Sequence, residues 1–164
     1  MSSSDLILHE EEYRRIHRAI TQLRADCNAK VVFVVDKNGQ QIAGSGELEA
    51  IDTTALASLA AGNVAATDSL ARLIGEKEFS ILFHEGERDN LHISVVGGRV
   101  ILVVIFDERS SLGLVRLKVK RGSADLAVVL DEVMRKASLP QRAAAGGSQF
   151  AEITDEDIDN LFSD

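Results

Sequence analysis

The sequence predicts an α/β protein of the α+β sandwich kind, a five-stranded antiparallel sheet with helices on both faces in the order α-β-β-α-β-β-β-α. Three observations predict it. Apolar residues spaced three and four apart alternate along the chain with short β-branched runs. Two tight-turn strings, Asp36-Lys37-Asn38-Gly39 and Gly97-Gly98-Arg99, each join a pair of such runs. Asn and Gly there tolerate the positive φ that hairpin turns require. The run VILVVIF at 100–106 is apolar on both sides of a strand, which places it in the middle of a sheet covered on both faces.

The elements follow in order. Residues 1–8, with Ser-Ser-Ser at 2–4, are expected to be disordered. Tyr13, Ile16, Ile20 and Leu23 carry a helix over 10–27, with Arg14, Arg15, Arg18 and Gln22 on its other side and Asn28 as its stop. KVVFVVD at 30–36 and a weaker strand at 40–44 form a hairpin. Asp52-Thr53-Thr54 caps a second helix that runs to Ile74, with Gly75 at its C-terminal stop. Strands are expected at 79–84, 91–96 and 100–106, the first two separated by a polar loop at 85–90. Residues 114–120 alternate apolar and basic as a strand would. The longer match to a 3.6 period, through Leu112, Val115, Val119, Leu126, Val129 and Val133, decides for a helix over 112–136. ASLPQRAAAGGSQ at 137–149 has the composition of a flexible linker. In the tail at 150–164, Thr154 can cap a short helix whose Ile158, Leu161 and Phe162 share one face.

Composition narrows the function. The 164 residues suit one domain with an appendage. The single Cys, Cys27, excludes an internal disulfide and points to a reducing compartment. The longest apolar run is seven residues, far short of the roughly 20 that span a bilayer. With no basic-then-apolar leader, the expected location is cytoplasmic, without membrane insertion. The net charge is −8, yet six acids and no base fall in 150–164, so the rest of the chain sums to −2. Such a body does not suit a nucleic-acid binder, which needs a dominant basic surface.

Catalytic chemistry finds no support. Gly44-Ser45-Gly46 lacks the Lys of a phosphate loop, and no Ser sits in a nucleophile elbow. His9, His17, His84 and His92 show no metal-ligand spacing, although His84 and His92 could face each other across paired strands; the plainer reading is polar strand ends. No cofactor, metal or active site is expected. Cys27 reads as a small core filler. Arg116, Lys118, Lys120 and Arg121 are either a solvated helix face or a dock for something acidic, the tail or a partner. Two features resist a bland account. Residues 53–67 hold no charge, although a helix with one wet face should carry some there. The helix is either buried all round or presents an interface, and the latter makes a homodimer the expectation. The tail holds Phe150, Ile153, Ile158, Leu161 and Phe162 beyond a Gly-containing linker, the composition of a tethered docking peptide.

The element order and four strings resemble the roadblock (dynein light chain) family: AKVVFVVDKNGQ at 29–40, IDTTALASLAAGNVAAT at 51–67, FHEGERDNLHISVVGGRVILVVIFDERSSLGLVRLKVK at 83–120 and FAEITDEDIDNLFSD at 150–164. The resemblance covers residues 9–136, taken as the roadblock domain, and then the tail. It implies one long helix on one face of the sheet and two on the other. It also implies pairing that joins two sheets and lays two long helices side by side. A Ras-like small GTPase is then received on the paired helices, two chains per GTPase. Hydrolysis would be stimulated without an arginine finger, by repositioning the GTPase's own switch residues, with the tail gripping the GTPase or promoting exchange. The setting implied is bacterial cell polarity and motility, at a cell pole. On this resemblance Ala61, Ala65, Ala66 and Ser69, with the five apolar tail residues, meet the GTPase, while Ala57, Ala60, Val64, Phe79, Ile81 and Phe83 form the dimer interface. Two rivals remain, a scaffold that binds a GTPase without activating it and a small-molecule sensor of the GAF or PAS type. Six Phe and one Tyr, thinly spread, offer the latter little to line a pocket.

Overall fold

Helix α1, Glu10–Cys27, opens the fold. The computed structural model describes residues 9–146, with side chains through Lys136. Ile16, Ile20, Leu23 and Cys27 form the buried stripe of α1, and three glutamates in its first turn suit the helix dipole. Asn28 ends it at φ 53°, a left-handed conformation that Asn tolerates. Strands β1 (Val31–Asp36) and β2 (Gln41–Gly46) follow as a hairpin. Asp36 Oδ1 accepts the N–H groups of Asn38 and Gln40, each at 2.9 Å, which holds the turn. Helix α2, Thr53–Leu73, is capped by Asp52, whose Oδ1 accepts the Ala55 N–H at 3.0 Å. Strands β3 (Ile81–Glu85), β4 (Asn90–Val96) and β5 (Val100–Phe106) form a meander, and α3 spans Leu112–Gly146.

The five strands pair antiparallel in the order β2-β1-β5-β4-β3. VILVVIF is therefore the central strand, and all six residues of β1 beside it are buried. Register sorts the two faces. Phe33, Val103, Ile93 and Leu82 lie in one row, and Val32, Val104, His92 and Phe83 in the next. Phe33, Ile93 and Val103 meet Ala57, Ala60, Ala61 and Val64 of α2, with Leu48 and Ile51 packed against them. On the other face, Thr21 of α1 bonds Ser45 of β2 at 3.2 Å. Helix α3 lies beside α1: a Cβ on Gly122 would come within 3.1 Å of Leu23 Cδ1, closer than most real contacts allow. Asn28 Nδ2 donates to the Arg109 carbonyl at 2.7 Å and Ser110 Oγ to the Cys27 carbonyl, tying the end of α1 to the start of α3. One helix thus covers one face and two cover the other.

Residues 9–129 make one unit, and from Leu130 the helix belongs to a second. Several boundaries differ from the sequence expectation, β2 among them, which runs Gln41–Gly46 where 40–44 is expected. Phe79 precedes β3, which starts at Ile81. Helix α3 continues to Gly146, through ten residues whose composition reads as linker. Alanines, Gln and Arg are strong helix formers and sustain it past Pro140. The tail at 150–164 lies outside the described residues.

The two histidines of the β3–β4 hairpin do not face each other. His84 pairs with Leu91 and His92 with Phe83, so they occupy opposite faces. His84 meets Asn63 of α2 at 3.0 Å. His92 is fully buried, and neither ring nitrogen finds a partner among the described residues. The Ser94 hydroxyl and the Asn90 side-chain amide oxygen Oδ1, on the same side of β4, are likewise unpartnered among the described residues. Burial, with Arg116 nearby, holds the His92 pKa below its usual value. The unfolded chain then takes up a proton below about pH 6.5 that the native state resists, so stability present above that pH is lost as pH falls toward the native pKa. Replacing His92 with Leu removes two unpartnered polar atoms and is expected to stabilise the protein by about 1–3 kcal/mol. Urea midpoints for wild type and variant at about pH 5 and pH 8 check this, and the variant should show the flatter acid limb. A variant no more stable than wild type at either pH would contradict it.

Candidate partner-binding face

Helix α2 carries two apolar stripes. Ala57, Ala60, Ala61, Val64 and Ala71 turn toward the sheet and are buried. Leu59, Ala65, Ala66, Ser69, Leu70 and Leu73 turn outward. Leu59 is 71% and Leu73 82% exposed, so large apolar side chains stand in water on a helix face that carries no charge until Asp68. Adding a Cβ at the outward Gly62 would meet nothing within 4 Å. Its helix-weakening absence of a side chain, which costs about 1 kcal/mol against Ala, answers no packing need inside the chain.

The C-terminal end of α2 adjoins the edge of the sheet in sequence. Ile74 is exposed, Gly75 turns the chain at φ +83°, and β3 follows as an edge strand with Ile81 half in water. An apolar edge with one row of unpaired backbone groups is a template for another strand. Leu82 packs against the α2-side core, and Phe83 stacks on Phe106 on the other face, with ring centroids 6.2 Å apart.

The expected site residues therefore divide. Ala65, Ala66, Ser69 and Ile81 lie on the surface, Phe79 and Phe83 are half-buried, and Ala57, Ala60, Ala61 and Val64 pack on their own sheet. The last four face inward because they share the 57-60-64 spacing of the stripe that fits Phe33 and Ile93. Leu59, Leu70, Leu73 and Ile74 are absent from the sequence expectation, although 59, 66, 70 and 73 recur at helical spacing opposite that stripe. The five apolar tail residues, Phe150, Ile153, Ile158, Leu161 and Phe162, lie outside the described residues.

Arg109 and Arg72 are both engaged by neighbouring side chains. Arg109 Nε and Nη2 donate to the two Asp107 carboxylate oxygens at 3.0 Å each, and Nη2 lies 3.4 Å from Glu47. The paired guanidinium holds the Asp107 carboxyl below its usual range, and Asp107 raises Arg109 in turn. Arg72 donates to the Ser69 hydroxyl at 3.3 Å. Cys27 is buried, and burial with Asp26 alongside pushes its thiol up to about 11. Among the described residues no group of three His, Cys, Asp or Glu side chains could hold a metal, and no helix is long and apolar enough to cross a membrane.

A five-stranded sheet with α2 on one face and α1 and α3 on the other defines a roadblock-type domain, and the chain belongs to the Roadblock/LC7 domain family, whose model matches residues 19–106. It is similar to Myxococcus xanthus MglB, with 54% identity over 77% of this chain and 96% of that one, at a TM-score of 0.74. The gliding protein MglB of Thermus thermophilus is 34% identical over 79% of this chain and 98% of that one, with a TM-score of 0.73. An MglB with a tetrameric arrangement is 32% identical, covering 80% and 98%, with a TM-score of 0.75. Among curated proteins, the uncharacterised MJ0714 of Methanocaldococcus jannaschii is 34% identical over 110 residues, 66% of this chain and 90% of that protein.

Proposed function

We propose that the chain is a homodimeric regulator of a Ras-like, MglA-like small GTPase, two chains per GTPase, acting in bacterial cell polarity and gliding motility. The observation that carries this reading is the uncharged, solvent-facing side of α2, where leucines stand exposed beside an apolar edge strand. A single domain gains nothing from such a surface in water, and contiguous exposed apolar area marks an interaction site. Pairing through β3 joins the two sheets and brings two α2 faces together as one platform. The similarity to MglB proteins supports the same assignment. The GTPase supplies the chemistry. The dimer repositions its switch residues, and the tail at 150–164 adds a tethered second contact that aids binding or exchange. The regulator has no active site of its own.

Single-turnover GTP hydrolysis by the cognate GTPase, with and without this protein, tests the reading. Acceleration supports it, and binding without acceleration would make the protein a scaffold. Arginine substitution tests the mechanism. An inserted arginine finger is worth about 10³–10⁵ in rate. Arg72, Arg88 and Arg109 changed singly to Ala should each retain stimulation within about tenfold, or about 1.4 kcal/mol. Arg109→Ala acts through the loop it clamps to Asp107 rather than through the reacting phosphate. A variant that binds fully yet loses a thousandfold would overturn the mechanism.

A further inference from the structure

Along the central strand β5 only Ile105 is not fully buried. Ile105 pairs with Leu91 of β4, which is half-buried beside it. Ile51 and Leu56 complete an aliphatic wall around a cavity of about 460 Å³, between the end of the sheet, the segment after β2 and the first turn of α2. That volume lies within the roughly 300–1,000 Å³ of small-molecule sites. Backbone contacts fix one side of the cavity. The Lys30 carbonyl accepts the Glu47 N–H at 3.0 Å and Arg24 Nε at 3.1 Å, and the Lys30 N–H donates to the Ile105 carbonyl at 2.9 Å. Gly46, at φ +113°, permits this close passage, because a Cβ there would strike the Lys30 carbonyl.

Three charged side chains line the cavity, Lys30, Glu47 and Asp89. Lys30 Nζ lies 3.3 and 3.1 Å from the two Asp89 oxygens, so those charges match each other. Glu47 has only Arg109 Nη2 at 3.4 Å, and that guanidinium sits closer to Asp107, at 3.0 Å. One exposed carboxylate thus has acceptor capacity to spare beside an aliphatic wall. No aromatic ring lines the cavity among the described residues, so a quaternary ammonium would find no cage there. A cation that donates N–H bonds suits it better. We propose that the cavity binds a small amphipathic cation, a primary ammonium on a short aliphatic body, with the ammonium donating to Glu47 and the body lying against Leu91 and Ile105. The site shares no residue with the outward face of α2, and its test needs no GTPase, so it stands or falls apart from the regulatory reading above.

Hexylammonium is the probe, added to the full chain labelled in its Ile and Leu methyl groups for NMR. It should shift the methyls of Leu91 and Ile105 saturably. Hexanol and hexyltrimethylammonium should bind more weakly, and hexanoate most weakly. Glu47→Gln, at an exposed position, should weaken hexylammonium about two- to fivefold, within the range that exposed ion pairs span. Asp89→Asn deprives the Lys30 ammonium of its counter-charge and should shrink the preference for hexylammonium over hexanoate. Absence of saturable shifts at Leu91 and Ile105 would overturn the proposal. So would hexanol binding as tightly as hexylammonium, an unchanged affinity in Glu47→Gln, or a cation preference that survives Asp89→Asn unaltered.

Discussion

Ala66→Arg is expected to abolish GTPase binding while leaving the domain folded. Ala66 and its neighbour Ala65 are exposed on α2, and Arg is nearly as good a helix former as Ala. Stability in urea should therefore stay within about 0.5 kcal/mol of wild type, as for most surface changes. Binding is another matter. An apolar face that meets a partner closely would have to bury a guanidinium with no counter-charge. Breaking a buried pair to leave such a charge costs about 3–5 kcal/mol, which corresponds to two to nearly four orders of magnitude in affinity. Fluorescence titration of the GTP-loaded GTPase measures the loss. Sedimentation of the variant separates a lost GTPase contact from a lost dimer. Ala61→Arg provides the contrast, because Ala61 packs on the sheet, and that variant should fail to fold. If Ala65→Arg, Ala66→Arg and Ser69→Arg all bind normally, the outward face of α2 is not the platform.

That contrast also marks what the sequence makes legible. Strand and helix types follow from period, and VILVVIF identifies its own place because only a central strand is covered on both faces. The absence of charge over 53–67 signals an unusual helix. It does not reveal rotation, since alanines occupy both sides of it. Which alanines are core follows from β1 and β5, whose Phe33 and Val103 select 57, 60 and 61. The outward leucines are readable as a second stripe, yet a stripe alone does not say which side is wet. The burial of His92 is illegible for a similar reason. Its side is set by pairing with Phe83 and Val104, partners that lie 9 and 12 positions away in sequence. The extension of α3 to Gly146 is hidden because Pro and Gly dominate a composition reading, while helix propensity is a sum over many residues.

The edge strand offers the second large effect. On the proposed pairing through β3, Ile81→Lys is expected to leave a monomer near 17.7 kDa with the fold retained. Ile81 is half exposed in the single chain, so its replacement removes little of the protomer's own packing. Lys is also the residue natural edge strands use to refuse partners. In a two-fold pairing of β3 with its copy, each protomer loses one buried isoleucine. Burying the exposed half of such a side chain contributes about 0.8–1.5 kcal/mol, so two copies account for about 1.5–3 kcal/mol, or one to two orders of magnitude in the dimer dissociation constant. Leu82→Lys is the control that should instead unfold the chain, because Leu82 packs against the α2-side core. Sedimentation across a concentration series reads the dissociation constant, and the same samples report GTPase stimulation. If two chains must grip one GTPase, stimulation by Ile81→Lys falls with the dimer fraction and recovers at high protein concentration. A variant that keeps the wild-type dissociation constant would place the dimer contact elsewhere than β3, and one that stimulates fully as a monomer would remove the need for two chains.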